Sequence, residues 1–444
     1  MKKLIVAVVA LGAVGGMMAA GWLREPRRWS TDDAGAREAF RECLDAEMKF
    51  YHREALEACR QALNRDPDFA IAKLKVALLE GLDGEHGREL LDELRSTDLD
   101  SLQGTEAFLI RYWLLRADGD EDAAAALLGH YVGEHPDDPF ALDLQCRRLW
   151  GLRDWDGAEA CHEHLLEVDP NWVQAQNRRG YAAMAQGRFD EAEDHFRTYL
   201  YVAPDQANPH DSLAELLTLR GRYPEAEREL EEALRIRPDF CASYEHLVTL
   251  HLLEGDATEA RRALDRAATE GDCLSTDDRY GERIRCTVDL WEPLLGGDWE
   301  GVWRASEECV GRGAPDALVL GHRAALETGR EDAAREIEKG VEDALRSEAE
   351  EGFGAEGASA LLAHMRGARA LAEGNAAEAE AQLLAADRSL RYWDVLGGAV
   401  FKLYNLAVLA DAQEAAGDER AAAASREKLA GVNPRFLGRR PPTG

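Results

Sequence analysis

The residues of this chain with the most distinctive chemistry are its eight cysteines. A pair of thiols can form a disulfide or bind a metal ion, and a buried cysteine can also serve as a small apolar side chain. The distance between two cysteines depends on the secondary structure that carries them. Taken in chain order, they form four neighbouring pairs: Cys43 and Cys59, Cys146 and Cys161, Cys241 and Cys273, Cys286 and Cys309.

A period of 34 residues organises the chain around these cysteines. Turn residues and prolines repeat with this step, as do the alanines Ala124, Ala158, Ala192, Ala226 and Ala260. A fixed period of this length is typical of stacked supersecondary units, in which each unit contacts only its neighbours. The sequence therefore predicts a repeat array instead of one closed globule.

One unit of this period resembles a tetratricopeptide repeat. Gly180, Gly187 and Ala192 supply its small residues, Phe196 follows the alanine by four positions, and Pro204 closes the unit. The resemblance implies two amphipathic helices per unit, joined by a short turn. We expect an all-α fold, an α-solenoid of about eleven tetratricopeptide-like helical hairpins that form a superhelix.

The repeat pattern and the composition divide the chain into six segments. The repeats begin after an apolar N-terminus and a short linker, and one polar stretch interrupts them. We predict a signal anchor or signal peptide at 1–23, a linker at 24–35, an N-terminal array at 36–274, a polar break at 275–282, a C-terminal array at 283–434 and a basic tail at 435–444.

The four cysteine pairs lie symmetrically about predicted hairpin turns. The first, second and fourth pairs have their midpoints at residue 51, beside Arg153 and beside Gly297, and the midpoint of the third lies within two residues of Gly255. Facing Cα atoms of packed helices approach to about 4–6 Å, which a disulfide requires. The spacing therefore predicts four disulfides, with buried reduced cysteines as the alternative.

The run Cys161-His162-Glu163-His164 collects metal-ligand residue types, but neighbours on a helix point in different directions. We therefore expect no metal site here, and no cofactor. A Gly-rich phosphate loop after a strand is not evident in the sequence, and serine, histidine and aspartate residues are scattered. We accordingly expect a protein that is not an enzyme.

Two rows of polar residues at the 34-residue period predict a partner groove. The resemblance implies that the first helix of each unit lines a concave face, and these residues would lie on it, facing solvent. The groove would suit a protein or peptide partner, with a basic segment near the acids at 211 to 245. An ordinary solvated helix face is the alternative. One row contains Asp143, Asn177, Asp211 and Glu245, and the other, one helical turn further on, contains Arg147, Tyr181 and Glu215.

The formal net charge of −32 and the pI near 4.8 argue against nucleic acid as a partner, because nucleic-acid binding requires a basic surface. Anionic lipid is disfavoured for the same reason, so we expect membrane contact only through the N-terminal segment. Most basic residues are arginine, which is typical of a GC-rich bacterial genome.

The N-terminal segment predicts export. Lys2 and Lys3 precede an uncharged run of 20 residues, Leu4 to Leu23, which is long enough for a membrane helix. We expect an inner-membrane anchor with the repeats in the periplasm, or secretion to the periplasm. The alternatives are a cytoplasmic interaction module of a signalling system and a non-catalytic subunit of a wall-associated enzyme.

Overall fold

The computed structural model describes residues 29–102, 104–274, 279–310, 315–347, 355–392 and 398–436. Within these ranges it contains 22 α-helices and one short 3-10 helix at Leu99–Ser101, and no strand. Consecutive helices pair into eleven hairpins. The prediction of an all-α repeat fold is therefore confirmed.

The helices are numbered in chain order. They are α1 Ala34–Met48, α2 His52–Arg65, α3 Ala70–Glu80, α4 Glu85–Arg95, α5 Gly104–Ala117, α6 Glu121–Glu134, α7 Pro139–Gly151, α8 Trp155–Val168, α9 Gln174–Ala185, α10 Phe189–Val202, α11 Ala207–Leu219, α12 Tyr223–Ile236, α13 Cys241–Glu254, α14 Ala257–Thr269, α15 Arg279–Leu295, α16 Trp299–Cys309, α17 Pro315–Glu327, α18 Glu331–Ser347, α19 Ala355–Ala372, α20 Ala376–Ser389, α21 Gly398–Ala415 and α22 Glu419–Val432.

The chain forms two compact units. The first comprises Met1–Trp150 with Asp156–Ala175, and the second comprises Gly151–Trp155 with Gln176–Gly444. The predicted N-terminal segment at 1–23 lies outside the described residues, as do residues 275–278 of the predicted polar break. None of the described helices is long and apolar enough to cross a bilayer.

A left-handed residue ends the first helix of most hairpins. Gly187 has a φ of 77°, and its amide donates to the Met184 carbonyl while Arg188 donates to Ala183. These two bonds satisfy carbonyls that the end of α9 leaves unpaired. Arg153 stands at the same position of the period and adopts a φ of 57° without being glycine. The periodic turn residues therefore reverse the chain, as the spacing predicts.

Small residues allow the two helices of a hairpin to approach closely. A Cβ atom built on Gly180 would lie 2.5 Å from the ring of Phe196, so α9 and α10 could not pack as they do with any larger residue there. Ala192 and Phe196 are themselves fully buried at this contact. Because apolar burial is the main favourable term in folding, these contacts stabilise the hairpin.

The eight cysteines form four disulfides, in the pairs that the sequence groups together. Their Cα–Cα distances are 5.2, 5.3, 5.6 and 5.7 Å, and no cysteine is free. The first, second and fourth bonds each join the two helices of one hairpin, and the third joins the start of α13 to the residues after α14. In the chain-entropy model a loop of this size is worth about 3 kcal/mol.

The N-terminal strap of the first unit, residues 29–33, is docked on the helices and is not a free linker. The Trp29 ring packs edge-on against Phe40 at 5.4 Å and Phe140 at 5.6 Å. Ser30 donates from its amide and its hydroxyl to the buried carboxylate of Glu106, at 2.8 and 2.7 Å. Glu106 also accepts from the Ile71 amide, so one side chain ties the strap to α3 and α5.

The C-terminus of the second unit contacts its third hairpin, α11–α12. Asn433 is fully buried, and its amide group donates to the Thr218 carbonyl at 3.5 Å and to the Tyr223 hydroxyl at 3.2 Å. The Arg435 guanidinium lies 5.2 Å from the Tyr223 ring, so residues 435 and 436 do not belong to a free tail. The expectation that each hairpin contacts only its neighbours is wrong here, because side chains after α22 reach back more than two hundred residues.

Replacement of Gly221 tests this contact in solution. Gly221 has a φ of 69°, and a Cβ atom added to it would overlap Oδ1 of Asn433. Gly374 is the matched control, since its φ is 79° and no described atom lies within 4 Å of a Cβ built there. We expect Gly221→Ala to lower the free energy of unfolding by about 1–3 kcal/mol more than Gly374→Ala does, with faster amide exchange in α22. Equal losses would show that Asn433 does not pack there.

Candidate functional site

Four of the seven predicted groove residues come together in the second unit. Tyr181 lies on α9, Asp211 and Glu215 lie on α11, and Glu245 lies on α13. Each of these helices is the first of its hairpin, so the 34-residue period places their equivalent positions side by side. The structure therefore assembles one polar surface from three successive repeats.

His246 of α13 joins three of these side chains into one cluster. Its Nδ1 atom lies 3.0 Å from Oδ1 of Asp211, and its Nε2 atom lies 4.0 Å from Oε2 of Glu215. The Tyr181 hydroxyl donates to Glu215 at 2.7 Å, and the Ser243 hydroxyl donates to Asp211 at 2.7 Å. We call Tyr181, Asp211, Glu215 and His246 the His246 cluster.

The charges of the His246 cluster support one another. Burial alone would lower the pKa of His246, but the carboxylates of Asp211 and Glu215 raise it to about 10. The imidazole is therefore a cation at neutral pH and offsets the two neighbouring acids. Burial raises the pKa of Glu215, and burial together with the neighbouring carboxylates raises the pKa of the Tyr181 hydroxyl, which remains a hydrogen-bond donor.

Glu245 stands beside the cluster and forms an ion pair with Arg283 of α15. The Glu245 side chain is 20% exposed and the Arg283 side chain is 37% exposed, so both remain accessible from solvent. The surface thus carries three carboxylates from α11 and α13, one imidazolium and one guanidinium. It is less acidic than the carboxylates alone suggest.

Two predicted groove residues are buried, contrary to the expectation that the rows face solvent. Asp211 is 3% exposed and Asn177 is 6% exposed. The amide group of Asn177 donates to Oδ1 of Asn208 at 3.2 Å. Asp211 can be buried because His246 and Ser243 hydrogen-bond to it, and an isolated aspartate could not tolerate that environment.

The remaining two groove residues, Asp143 and Arg147, lie on α7 in the first unit. Asp143 accepts a hydrogen bond from the indole N–H of Trp172 at 3.2 Å, and Arg147 approaches the same carboxylate at 3.8 Å. Arg147 is half exposed, so it is the more accessible of the two. These residues form a separate polar pair in that unit.

The metal-ligand run on α8 does not assemble around one point. Cys161 is bonded to Cys146, so its sulfur is not a thiolate ligand. His162 is buried, with Nδ1 2.7 Å from the Ala158 carbonyl, whereas His164 is half exposed beside Glu167. The neighbours on this helix point in different directions, as helical geometry requires.

His246 and Arg283 are the two site residues that the sequence analysis missed. Arg283 continues the row of Arg147, Tyr181 and Glu215 at the same 34-residue step, so the period itself could have found it. His246 directly follows Glu245, on the side of α13 that faces the preceding hairpin. Its role depends on a contact with the neighbouring helix, which the spacing of one row does not indicate.

The comparisons with known proteins agree with the repeat pattern. Residues 173–239 and residues 213–272 each match a family model described as Tetratricopeptide repeat. The chain therefore contains tetratricopeptide repeats, and the matched region holds α9 to α14. The His246 cluster lies within this region.

The similar proteins share short segments or the repeat architecture with this chain. Over 80 residues it is 31% identical to DnaJ protein P58IPK homolog B of Oryza sativa subsp. japonica, which is 18% of this chain and 17% of that protein. Over 72 residues it is 40% identical to Protein O-mannosyl-transferase Tmtc2 of Drosophila melanogaster, which is 16% of this chain and 8% of that protein. The chain thus spans less than a fifth of the length of these relatives.

Among solved structures, a human IFIT1 dimer with m7Gppp-AAAA is similar to 90% of this chain and 95% of its own chain. The sequence identity is 16% and the TM-score is 0.47.

Replacement of His246 tests the electrostatics of the cluster. The pKa of His246 is raised on folding, so its contribution to stability is complete below the unfolded-state pKa of about 6.5 and is lost as the pH rises through about 10. We expect His246→Gln to lower the free energy of unfolding by about 1–3 kcal/mol at pH 6.5, and by progressively less toward pH 10. Urea unfolding across this pH range measures the difference.

The control for this experiment is His130→Gln. The His130 side chain is 72% exposed and lies 3.6 Å from Glu134 on the same helix, where solvent screens the interaction. We expect its effect to stay small at every pH. If the His246→Gln and wild-type curves run parallel from pH 6.5 to 10, the charge pairing at His246 is refuted.

Proposed function

We propose that the chain is a non-catalytic scaffold that binds a protein or peptide on the first-helix surface of its second unit. The observation that carries this proposal is the assembly of the His246 cluster with Glu245 and Arg283. Hydrogen bonds between successive repeats hold these side chains in place, so little ordering remains to be done when a partner binds. Glu215 and Glu245 stay partly exposed and offer carboxylate oxygens to a partner.

The partner that suits this surface is a segment with Lys or Arg side chains. Such a segment can bridge Glu215 and Glu245, whose neighbours His246 and Arg283 already fix the carboxylates. The net charge of −32 would steer a cationic partner toward the chain and repel an acidic one. The surface presents a fixed pattern of donors and acceptors as well, which favours a particular sequence over general basic charge.

A peptide selection tests this proposal. A random-peptide display library is panned against the full chain, and enriched peptides are synthesised for fluorescence anisotropy. We expect enriched sequences with Lys or Arg, and about fivefold or weaker binding to the double variant Glu215→Gln, Glu245→Gln, since each variant removes a charged acceptor. Glu331→Gln on α18 is the matched control, because the Glu331 side chain is 63% exposed in an i,i+4 pair with Arg335.

The selection can contradict the proposal in two ways. Enriched peptides without basic residues would remove the argument for a cationic partner. Equal affinities of the double variant and Glu331→Gln would place the binding surface away from Glu215 and Glu245.

We further propose that the repeats lie in the periplasm, either anchored in the inner membrane through residues 1–23 or secreted. Disulfides persist in oxidising compartments and are rare in the cytosol. The support for this location is that all eight cysteines are placed at bonding distance in four pairs. The apolar run from Leu4 to Leu23 supplies a route for export.

An intact-mass measurement after thiol alkylation, without reduction, tests the location on protein taken from its own cell. We expect no label on any cysteine, because each sulfur is in a disulfide in an oxidising compartment. The same mass distinguishes retention of residues 1–23 from their removal. Eight labels would contradict the periplasmic location and favour the cytoplasmic interaction module.

A further inference from the structure

A cavity of about 580 Å³ lies in the second unit, apart from the His246 cluster. The end of α9 and the start of α10 form one side of it, and residues from α21, α22 and the segment after α20 form the other. Its volume falls in the range of about 300–1,000 Å³ that is typical of small-molecule sites. The cavity is therefore large enough to hold a single aromatic ring with a charged substituent.

The charge of this cavity is opposite to that of the whole chain. Arg391, Lys402 and Lys428 line it, and the described lining residues include no aspartate or glutamate. The chain as a whole has 85 acidic residues and only eight lysines, two of which stand here. A cavity of similar size in the first unit has the opposite lining, with Glu106, Glu134 and two aspartates and no lysine or arginine among its described residues.

One aspartate behind the cavity holds both lysines but cannot neutralise the three cations. Nζ of Lys402 lies 2.7 Å from Oδ1 of Asp387, and Nζ of Lys428 lies 2.9 Å from Oδ2. Lys402 is 4% exposed, so its position is fixed by the core around it. Arg391 donates to the Arg388 carbonyl and to no carboxylate among the described residues. Two positive charges thus remain uncompensated, one of them on a buried wall.

Aromatic rings form the apolar part of the cavity. Phe189 and Tyr392 pack edge to face, with ring centroids 5.0 Å apart. The Lys402 ammonium lies 5.5 Å from the centroid of the Tyr392 ring, within the range of a cation–π contact. The Tyr392 amide donates to the Ala185 carbonyl at 3.4 Å, which fixes this ring against the end of α9. The rings and the cations therefore stand side by side.

We propose that this cavity binds a small organic anion in which a carboxylate or a phosphate is attached to a flat apolar ring. The ring packs against Phe189 and Tyr392, and the anionic group accepts hydrogen bonds from Lys428, Lys402 and Arg391. Charge-assisted hydrogen bonds of this kind are stronger than neutral ones, and a partly buried site screens them less than bulk water does. This site is independent of the peptide surface at His246.

Calorimetric titration of the full chain tests the site with defined probes. The probes are 3-phenylpropionate and phenyl phosphate, and the controls are 3-phenylpropanol, acetate and inorganic phosphate. We expect at least one probe to bind with a Kd below about 1 mM and each control to bind about tenfold more weakly or not at all, because the site requires both ring and charge. The tighter of the two probes identifies the anionic group.

Variants locate the binding. Lys428→Met removes a half-exposed cation, and Tyr392→Leu removes one ring. We expect each to weaken probe binding about fivefold to tenfold, whereas Lys339→Met, an exposed lysine of α18, leaves the Kd unchanged. Circular dichroism confirms that each variant is folded. The absence of probe binding at 10 mM, about the limit of weak affinity, or equal Kd values for Lys428→Met and Lys339→Met, would overturn the proposal.

Discussion

The close approach of two helix backbones within each hairpin is the constraint on which the other features depend. It requires a small residue at the crossing, as at Gly180 against Phe196, and a left-handed turn that returns the chain at once, as at Gly187. Once these are repeated every 34 residues, equivalent positions of successive first helices become neighbours. The His246 cluster and the hairpin disulfides are consequences of this spacing, because each joins positions that the repeat geometry has already placed within bonding distance.

The features that the sequence predicts well are those that depend on local geometry. The turns and the cysteine pairs follow from positions inside one hairpin, so a midpoint calculation is sufficient to match them. The burial of Asp211 could not be predicted, because it depends on the proton carried by His246 of the next hairpin. The contact of Asn433 with Thr218 could not be predicted either, since both residues lie outside the period and are far apart in sequence.

Net charge is a poor guide to the local surfaces of this chain. The acids that suggest an open anionic groove are largely occupied by His246 and Arg283, and burial would be unfavourable for them without these cations. The few lysines are instead concentrated where Asp387 gathers Lys402 and Lys428 beside aromatic rings. A chain with a net charge of −32 can therefore present surfaces of either sign, each set by a handful of ion pairs.

The docking of Asn433 on α11 and α12 has a consequence for the order of events during synthesis. A repeat array can fold as it emerges, because each hairpin needs only the one before it. The Thr218 carbonyl and the Tyr223 hydroxyl, however, receive their partner only after more than two hundred further residues have been made. Until then this part of the third hairpin of the second unit is uncovered, and contacts of such long range form slowly. The nascent chain therefore carries a temporary exposed surface that the finished protein no longer has.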